Sequence, residues 1–320
     1  MPSKHNFKLL IASVVLAPIF FWLSYNISVA YVGGDQKYYR EFYEALSTTE
    51  AGNVPSVARE LIGSVEPIAI YSLWAASRLG VEKDVFVSAL NTLLLFLILR
   101  LSFKYNFGFI IAFLLCANFY VIVLLTGAER LKFAYILLLA FANTSGKFGR
   151  AFILISPLAH FQSLVLLASA ALGCLADRFL RVVGDVRVKF TSVFITLIAL
   201  TALLVIAFSY YDIILNKINI YFGVSKSAGE FANLSALLIV SLFVVKSKER
   251  FFFSIVPLFP AVLVFGQSRI NMIAITVTVY FYIVDNRINH PISYIILLYL
   301  SIKSVPFLEN VVLHGDGFAQ

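Results

Sequence analysis

The segment Tyr31–Pro67, YVGGDQKYYREFYEALSTTEAGNVPSVARELIGSVEP, is a long polar interruption in a chain that is otherwise almost continuously apolar. It carries Asp35, Glu41, Glu44, Glu50, Glu60 and Glu66, six of the 17 acidic residues in the sequence, beside Tyr38, Tyr39 and Tyr43. Between lipid-soluble helices, such a run reads as a water-facing loop over about residues 32–66, held at a membrane surface by the rest of the chain. Within it, Tyr39 and Tyr43 are four apart, as are Phe42 and Leu46, with charges between, so Gln36–Ser47 reads as a helix lying on that surface. Ala51–Ser56 holds Gly, Asn and Pro and reads as a turn. Val57–Gly63 reads as a second short surface helix.

Outward from this loop, composition sets the class. The 320 residues are 61% hydrophobic and 13% charged, with a mean hydropathy of +0.91; soluble domains hold about 25% charged residues. The expected fold is all-α: a polytopic integral membrane protein forming a single domain over 1–320. A crossing needs ~20 apolar residues, so the length allows roughly 9 to 11 spans. The first runs from about Phe7 to Tyr31, with Lys4 and Lys8 placing its start in the cytoplasm and the loop outside. It reads as a span and not as a cleaved signal peptide. Glu66-Pro67 opens the short run 68–80, and further spans are expected near 84–103, 107–126, 128–143, 149–175, 190–210, 230–246, 250–266, 269–285 and 291–303. Tyr211–Phe231 reads as a second interfacial stretch. If every segment crosses, Arg130 lies on the cytoplasmic face, opposite Asp35. If 66–80 re-enters instead, every later loop changes side.

Several function classes are excluded or disfavoured. The net charge of +8 is accounted for by Lys and Arg of cytoplasmic loops, and no basic stripe interleaved with aromatics marks a nucleic-acid partner. Cys116 and Cys174 sit in apolar runs and read as core residues, with no metal spacing. There is no P-loop, dinucleotide fingerprint, H-E-x-x-H or G-x-S-x-G motif. No internal repeat is evident, which counts against a secondary transporter. No cofactor is expected.

Ionisable residues within or at the ends of membrane helices are costly and so are the functional candidates. Asp35 follows Gly33-Gly34, where the backbone can turn sharply; it reads as a general base or an anchor for sugar hydroxyls, or as a helix-end cap. Glu66 precedes Pro67 and reads as a helix-start carboxylate satisfying free N–H groups, or as a partner of Asp35 in acid–base work. Arg130 and Arg269 stand at span boundaries, either gripping a phosphate in two parallel hydrogen bonds or anchoring the interface, with Glu129 as the neighbour of Arg130. His160 lies in ISPLAHFQSLVLL beside Gln162 and Ser163, three residues after Pro157, and reads as part of a polar pocket on a helix or as a packed structural histidine. Tyr38 and Tyr39 offer aromatic faces beside Asp35, a common sugar-facing surface or an ordinary interfacial belt.

These residues occur in a telling order. A first span ends in G-D-x-x-Y-Y (Asp35, Tyr38, Tyr39), E-P follows at Glu66-Pro67, then Arg130, then His160 with Ser163 in H-F-Q-S, then Arg269. From about residue 30 to 270 this resembles the EpsG-like branch of the bacterial Wzy-type polysaccharide polymerases. The chain departs from that pattern where Leu131 follows Arg130 and where Gln36-Lys37 separate Asp35 from the tyrosines. The resemblance implies a GT-C-like glycosyltransferase in the bacterial inner membrane. Such an enzyme polymerises oligosaccharide repeat units carried on undecaprenyl diphosphate, at the external face, for O-antigen, capsule or exopolysaccharide. It implies membrane lipid, a flippase and a chain-length regulator as partners. It makes Asp35 and Glu66 the catalytic pair, and Tyr38, Tyr39, Arg130, His160 and Arg269 substrate-binding.

Three other readings stand beside it. A flippase for a lipid-linked saccharide would line a cavity with charge on many helices. Another membrane transferase is the second: an O-antigen ligase, which usually has a larger late external loop, or an acyltransferase, for which His160 lacks an acidic neighbour in sequence. A structural subunit is the third, and it should tolerate alanine at Asp35.

Overall fold

The structure, a computed structural model, describes residues 4–144, 146–184, 228–265 and 267–319. The span expected at 190–210 and most of the interfacial stretch 211–231 lie outside the described residues. Among the described residues the chain is helical, with no strand. It falls into two compact units, 1–164 with 293–320, and 165–292.

The first unit begins with α1 (Lys4–Ala30), which ends at a sharp turn through Gly33 and Gly34. Gly34 has φ +54°, a conformation glycine adopts without a steric penalty. The loop's first helix, α2 (Asp35–Leu46), leaves at 98° to α1. Its apolar face, with Tyr39, Phe42, Tyr43 and Leu46, is buried, while Asp35, Lys37, Tyr38, Glu41 and Glu44 are exposed. This is the expected surface helix, and its 3.6-residue period is what divides the two faces. A 3-10 turn (Ala51–Asn53) leads to α3 (Val54–Ile62), which ends on Gly63 in the left-handed region, and then to α4 (Pro67–Arg78). Helix α4 packs on α2, α3 and α9. Its 12 residues span about 18 Å, against about 30 Å of bilayer hydrocarbon.

From there α5 (Lys83–Lys104) runs away from α2, and α6 (Phe109–Ala117) and α7 (Phe119–Thr126) return toward it. The stretch expected as one span over 107–126 is broken by 49° at Asn118. There the Asn118 side chain accepts from the backbone N–H groups of Tyr120 and Val121, capping the second half. Helices α8 (Glu129–Asn143) and α9 (Lys147–Ala159) form a hairpin that again leaves and returns. The span expected over 149–175 is likewise two helices, α9 and α10 (Gln162–Gly184), separated at His160. The last helix, α15 (Pro291–His314), is longer than the 291–303 expected, and its end closes on the start of the loop: Val32 and Gly33 donate their backbone N–H groups to Gly315 O at 3.0 and 2.7 Å.

The second unit holds most of α10, with α11 (Ala228–Leu242), α12 (Lys248–Ile255), α13 (Leu258–Phe265) and α14 (Gln267–Val284). Phe251 and Phe281 meet edge-to-face at 5.4 Å in its core. Asp285 accepts from the backbone of Lys246 and Ser247, fixing the turn before α12.

Among the described residues, α5 and α15 are by length and composition able to cross a membrane, and up to four crossings result if each bent pair, α1 with α2 and α6 with α7, is one span. The apolar stretches within α9, α10, α11 and α14 are 10–17 residues long. The outward faces of α1, α6 and α15 carry Trp22, Phe109, Phe113, Ile295 and Ile302 in the open, an apolar surface suited to lipid.

Candidate functional site

Four of the residues singled out in the sequence meet at the inner side of α2. Glu66 is 9% exposed and lies just before Pro67. Its side chain makes no capping bond to α4, so the helix-start reading of this carboxylate does not hold. Its Oε2 instead accepts from Arg130 Nη1 at 2.9 Å, while Oε1 faces His160 Nδ1 at 2.8 Å. Ser64 adds a hydroxyl hydrogen bond to Oε2. Arg130 reaches further and donates from Nε to the Tyr39 hydroxyl at 2.8 Å. Two of its three nitrogens are thereby fixed, in the fork geometry a lysine does not reproduce.

Each residue is positioned by a local device. Tyr39 lies on the buried face of α2. Glu66 is fixed by Pro67 at the first turn of α4, whose φ is pre-set for a helix start. Arg130 is in the first turn of α8. His160 sits where α9 stops: Pro157 removes a backbone donor, and the Ser156 hydroxyl supplies one to Ile153 O at 2.9 Å, the carbonyl four residues before the proline. Three residues on, His160 is extended (φ −162°, ψ 130°), and Ser163 Oγ donates to its carbonyl at 2.8 Å. The polar pocket therefore lies at a helix break and not along a helix.

Burial pushes the Glu66 carboxyl up, but the hydrogen bond from His160 and the charge of Arg130 outweigh it and hold the carboxyl well below the usual range. The site thus contains a carboxylate at neutral pH. Burial raises the Tyr39 phenol, so it meets Arg130 as a neutral acceptor.

The remaining candidates are placed differently. Asp35 is exposed in the first turn of α2, one helical turn before Tyr39 and electrostatically coupled to it and to Tyr31. The close approach that Gly33-Gly34 permits is taken by the chain's own end: a Cβ on Gly34 would lie 3.1 Å from Asp316 Oδ1. Tyr38 is 54% exposed and outside the cluster. Arg269, in α14, belongs to the second unit.

The cluster also corrects the topology. Arg130 bonded to Tyr39 is on the α2 side, with Asp35, so the arrangement in which all eleven segments cross and Arg130 faces the cytoplasm does not hold. The short α4 stays on the α2 side, while α5 leaves and α6–α7 return.

Two further networks were missed from sequence. Lys83 Nζ donates to Gln36 Oε1 at 2.6 Å and to Glu129 Oε1 at 3.2 Å, and Gln36 Nε2 donates to the same Glu129 oxygen at 2.9 Å. Lys132, 0% exposed, donates to Leu125 O at 3.1 Å and is electrostatically coupled to Glu129. Glu129 is therefore the partner of these lysines and not of adjacent Arg130. Beside this, Arg40 donates to both Asp84 oxygens at 2.9 and 3.1 Å, and Ser28 Oγ donates to Asp84 at 2.7 Å. Gln36, Arg40 and Tyr43 recur on one stripe of α2 at helical spacing, a signal readable in principle. Their partners at the starts of α5 and α8 carry no comparable mark.

Chemically, the arrangement offers a guanidinium for an anion, a carboxylate-held imidazole for proton transfer, and an exposed carboxylate nearby. Among the described residues no cluster of His, Cys, Asp and Glu is suited to a metal. Comparison with protein-family models, curated proteins and solved structures returns no match.

Proposed function

We propose that the chain is a membrane glycosyltransferase that polymerises oligosaccharide units carried on undecaprenyl diphosphate, at the external face of a bacterial inner membrane. The observation that carries this reading is the convergence of Tyr39, Glu66, Arg130 and His160 from α2, α4, α8 and the α9–α10 break, on the Asp35 side of the molecule. A polytopic, GT-C-like arrangement belongs to the same proposal.

In this reading the leaving group, a lipid diphosphate, is already a good one. The protein has to hold it, neutralise the developing charge and activate an acceptor hydroxyl. Arg130 binds the diphosphate. Asp35 takes the acceptor proton as the acceptor oxygen bonds to the anomeric carbon, and the electron pair of the broken C–O bond leaves with the diphosphate. Glu66 orients Arg130 and His160. Arg269 is given no part in this site.

The His160–Glu66 contact supplies spatially the acidic neighbour that His160 lacks in sequence. It supports, as a second reading, a different membrane transferase that uses an imidazole base.

The test is a polymer ladder in the protein's own host. The gene is deleted and restored as wild type, Asp35→Asn, Arg130→Ala or His160→Ala, with membrane levels matched. The expected result is single lipid-linked units on deletion and failure of the variants to restore the ladder. Units accumulating on the cytoplasmic side would favour a flippase, and an unchanged ladder would refute the polymerase reading.

A further inference from the structure

Glu66 spends its two oxygens on two different partners. Oε2 holds Arg130 at 2.9 Å and Oε1 holds His160 Nδ1 at 2.8 Å. Facing a carboxylate, Nδ1 carries the ring proton, so a second proton on the ring goes to Nε2. An anion that draws the guanidinium toward itself competes with Glu66 for it. A buried carboxylate that loses part of a cationic partner favours a charge on the group next to it. That group is the imidazole. The bound anion favours the same change, because it adds negative charge within the same buried cluster.

We propose that the anion site at Arg130 is proton-linked: a diphosphate group binds there together with one proton taken up by His160, and Glu66 is the carboxylate that couples the two. The proton comes from solvent, Nδ1–H stays on Glu66, and no bond in the ligand is made or broken. Glu66 at the start of α4 reaches His160 directly, and Arg130 at the start of α8 is held by the same carboxylate. Tyr39 lies beyond Arg130 as a neutral phenol, and Asp35 and Glu129 act on that phenol. This inference rests on the diphosphate reading above and adds its pH control.

It has two consequences that pull in opposite directions on one residue. Glu66 competes with the anion for Arg130, so removing its charge strengthens binding at alkaline pH. Glu66 also couples the anion to His160, so removing its charge abolishes the pH dependence.

The experiment measures Kd for inorganic diphosphate and for a short polyprenyl diphosphate on the purified full chain in detergent, from pH 6 to 8.5. Wild type, His160→Gln and Glu66→Gln are compared, each first matched to wild type by thermal unfolding. Ligand titration is common to all three, so the difference in slope isolates the protein. Over the imidazole range, Kd of the wild type should rise up to about tenfold per pH unit more steeply than Kd of His160→Gln. Glu66→Gln should show the flat slope and bind several-fold more tightly than wild type at pH 8.5. Tighter binding of the polyprenyl ligand with the same slope identifies the lipid carrier as the source of the diphosphate. Equal slopes in wild type and His160→Gln overturn the proposal while leaving the polymerase reading intact, and so does weaker binding by Glu66→Gln. Proton-linked binding combined with an unchanged polymer ladder overturns the polymerase reading alone. Absence of diphosphate binding in the wild type overturns the inference.

Discussion

Glu129→Gln should destabilise the protein more than Lys83→Met, although the two residues form one ion pair. Glu129 is 1% exposed, Lys83 6% and Lys132 0%; the carboxylate is paired with Lys83 and feels the charge of Lys132. Lys83→Met leaves one carboxylate facing one ammonium. What it loses is the bonds from Lys83 to Gln36 and Glu129, a cost of about 1.5–3 kcal/mol for hydrogen bonds to charged groups. Glu129→Gln leaves two buried ammonium groups without an anion, and stranding buried charge costs about 3–5 kcal/mol. The gap of about 2 kcal/mol corresponds to roughly 3–4 °C in Tm for a chain of this size. The double variant provides the sharper test. In the wild-type background Lys83→Met lowers Tm, whereas in the Glu129→Gln background it removes one of two stranded charges and raises Tm. Thermal unfolding of the four proteins in one detergent measures both effects. If Lys83→Met lowers Tm equally in the two backgrounds, the three groups do not act as one buried charge cluster, and the account of how α2 is held to α5 and α8 fails.

Arg130→Lys keeps the charge but loses the fork that reaches Tyr39 and Glu66 together; under the polymerase proposal, polymer formation should fall by about 100-fold at unchanged membrane level, and full activity in this variant would refute the bidentate role. Glu66 gives a pH prediction with a definite sign. Its folded-state carboxyl is held below the usual range, so its contribution to stability is complete above the unfolded pKa and is lost as pH falls toward the folded one. Unfolding midpoints taken downward from about pH 5.5 should fall more steeply for wild type than for Glu66→Gln, since an unperturbed Glu titrates near ~4.3; parallel curves would show that the carboxylate is not stabilised by its partners.

What the sequence revealed was what depends on local spacing. Tyr39/Tyr43 and Phe42/Leu46 mark the buried face of α2 by helical period, and Pro67 marks the start of α4. The expected 84–103 is observed as Lys83–Lys104, since both ends carry charge. The interruptions at Asn118 and His160 were hidden because the residues on either side are apolar and satisfy the hydropathy of one continuous span. Asn118 was nonetheless a readable cap, a short polar side chain just before a helix start. Pro157 signals a break, but the backbone departs from the helix only three residues later, at His160. Helix α15 continues past the expected 303, through Pro306, and Lys303 lies over the Phe119 ring at 4.7 Å.

Partnerships were the least legible layer, because they join helix starts far apart in the chain. For Glu66 and Arg130, local rules suggested a helix cap and an interface anchor. Each of those readings fails for the same reason: the side chain that would have capped or snorkelled is occupied by the other. Taken together, the networks under α2 pair cations with carboxylates. Arg40, Lys83, Arg130 and Lys132 face Glu66, Asp84 and Glu129, with His160 alongside. Arg40 is the most solvent-open of these cations, and Asp35 lies exposed one helical turn from Tyr39. Of the cations nearest the site, Arg130 is the more open: among the described residues Nη2 makes no hydrogen bond, and the side chain retains 13% exposure, whereas Lys83 and Lys132 are shut in.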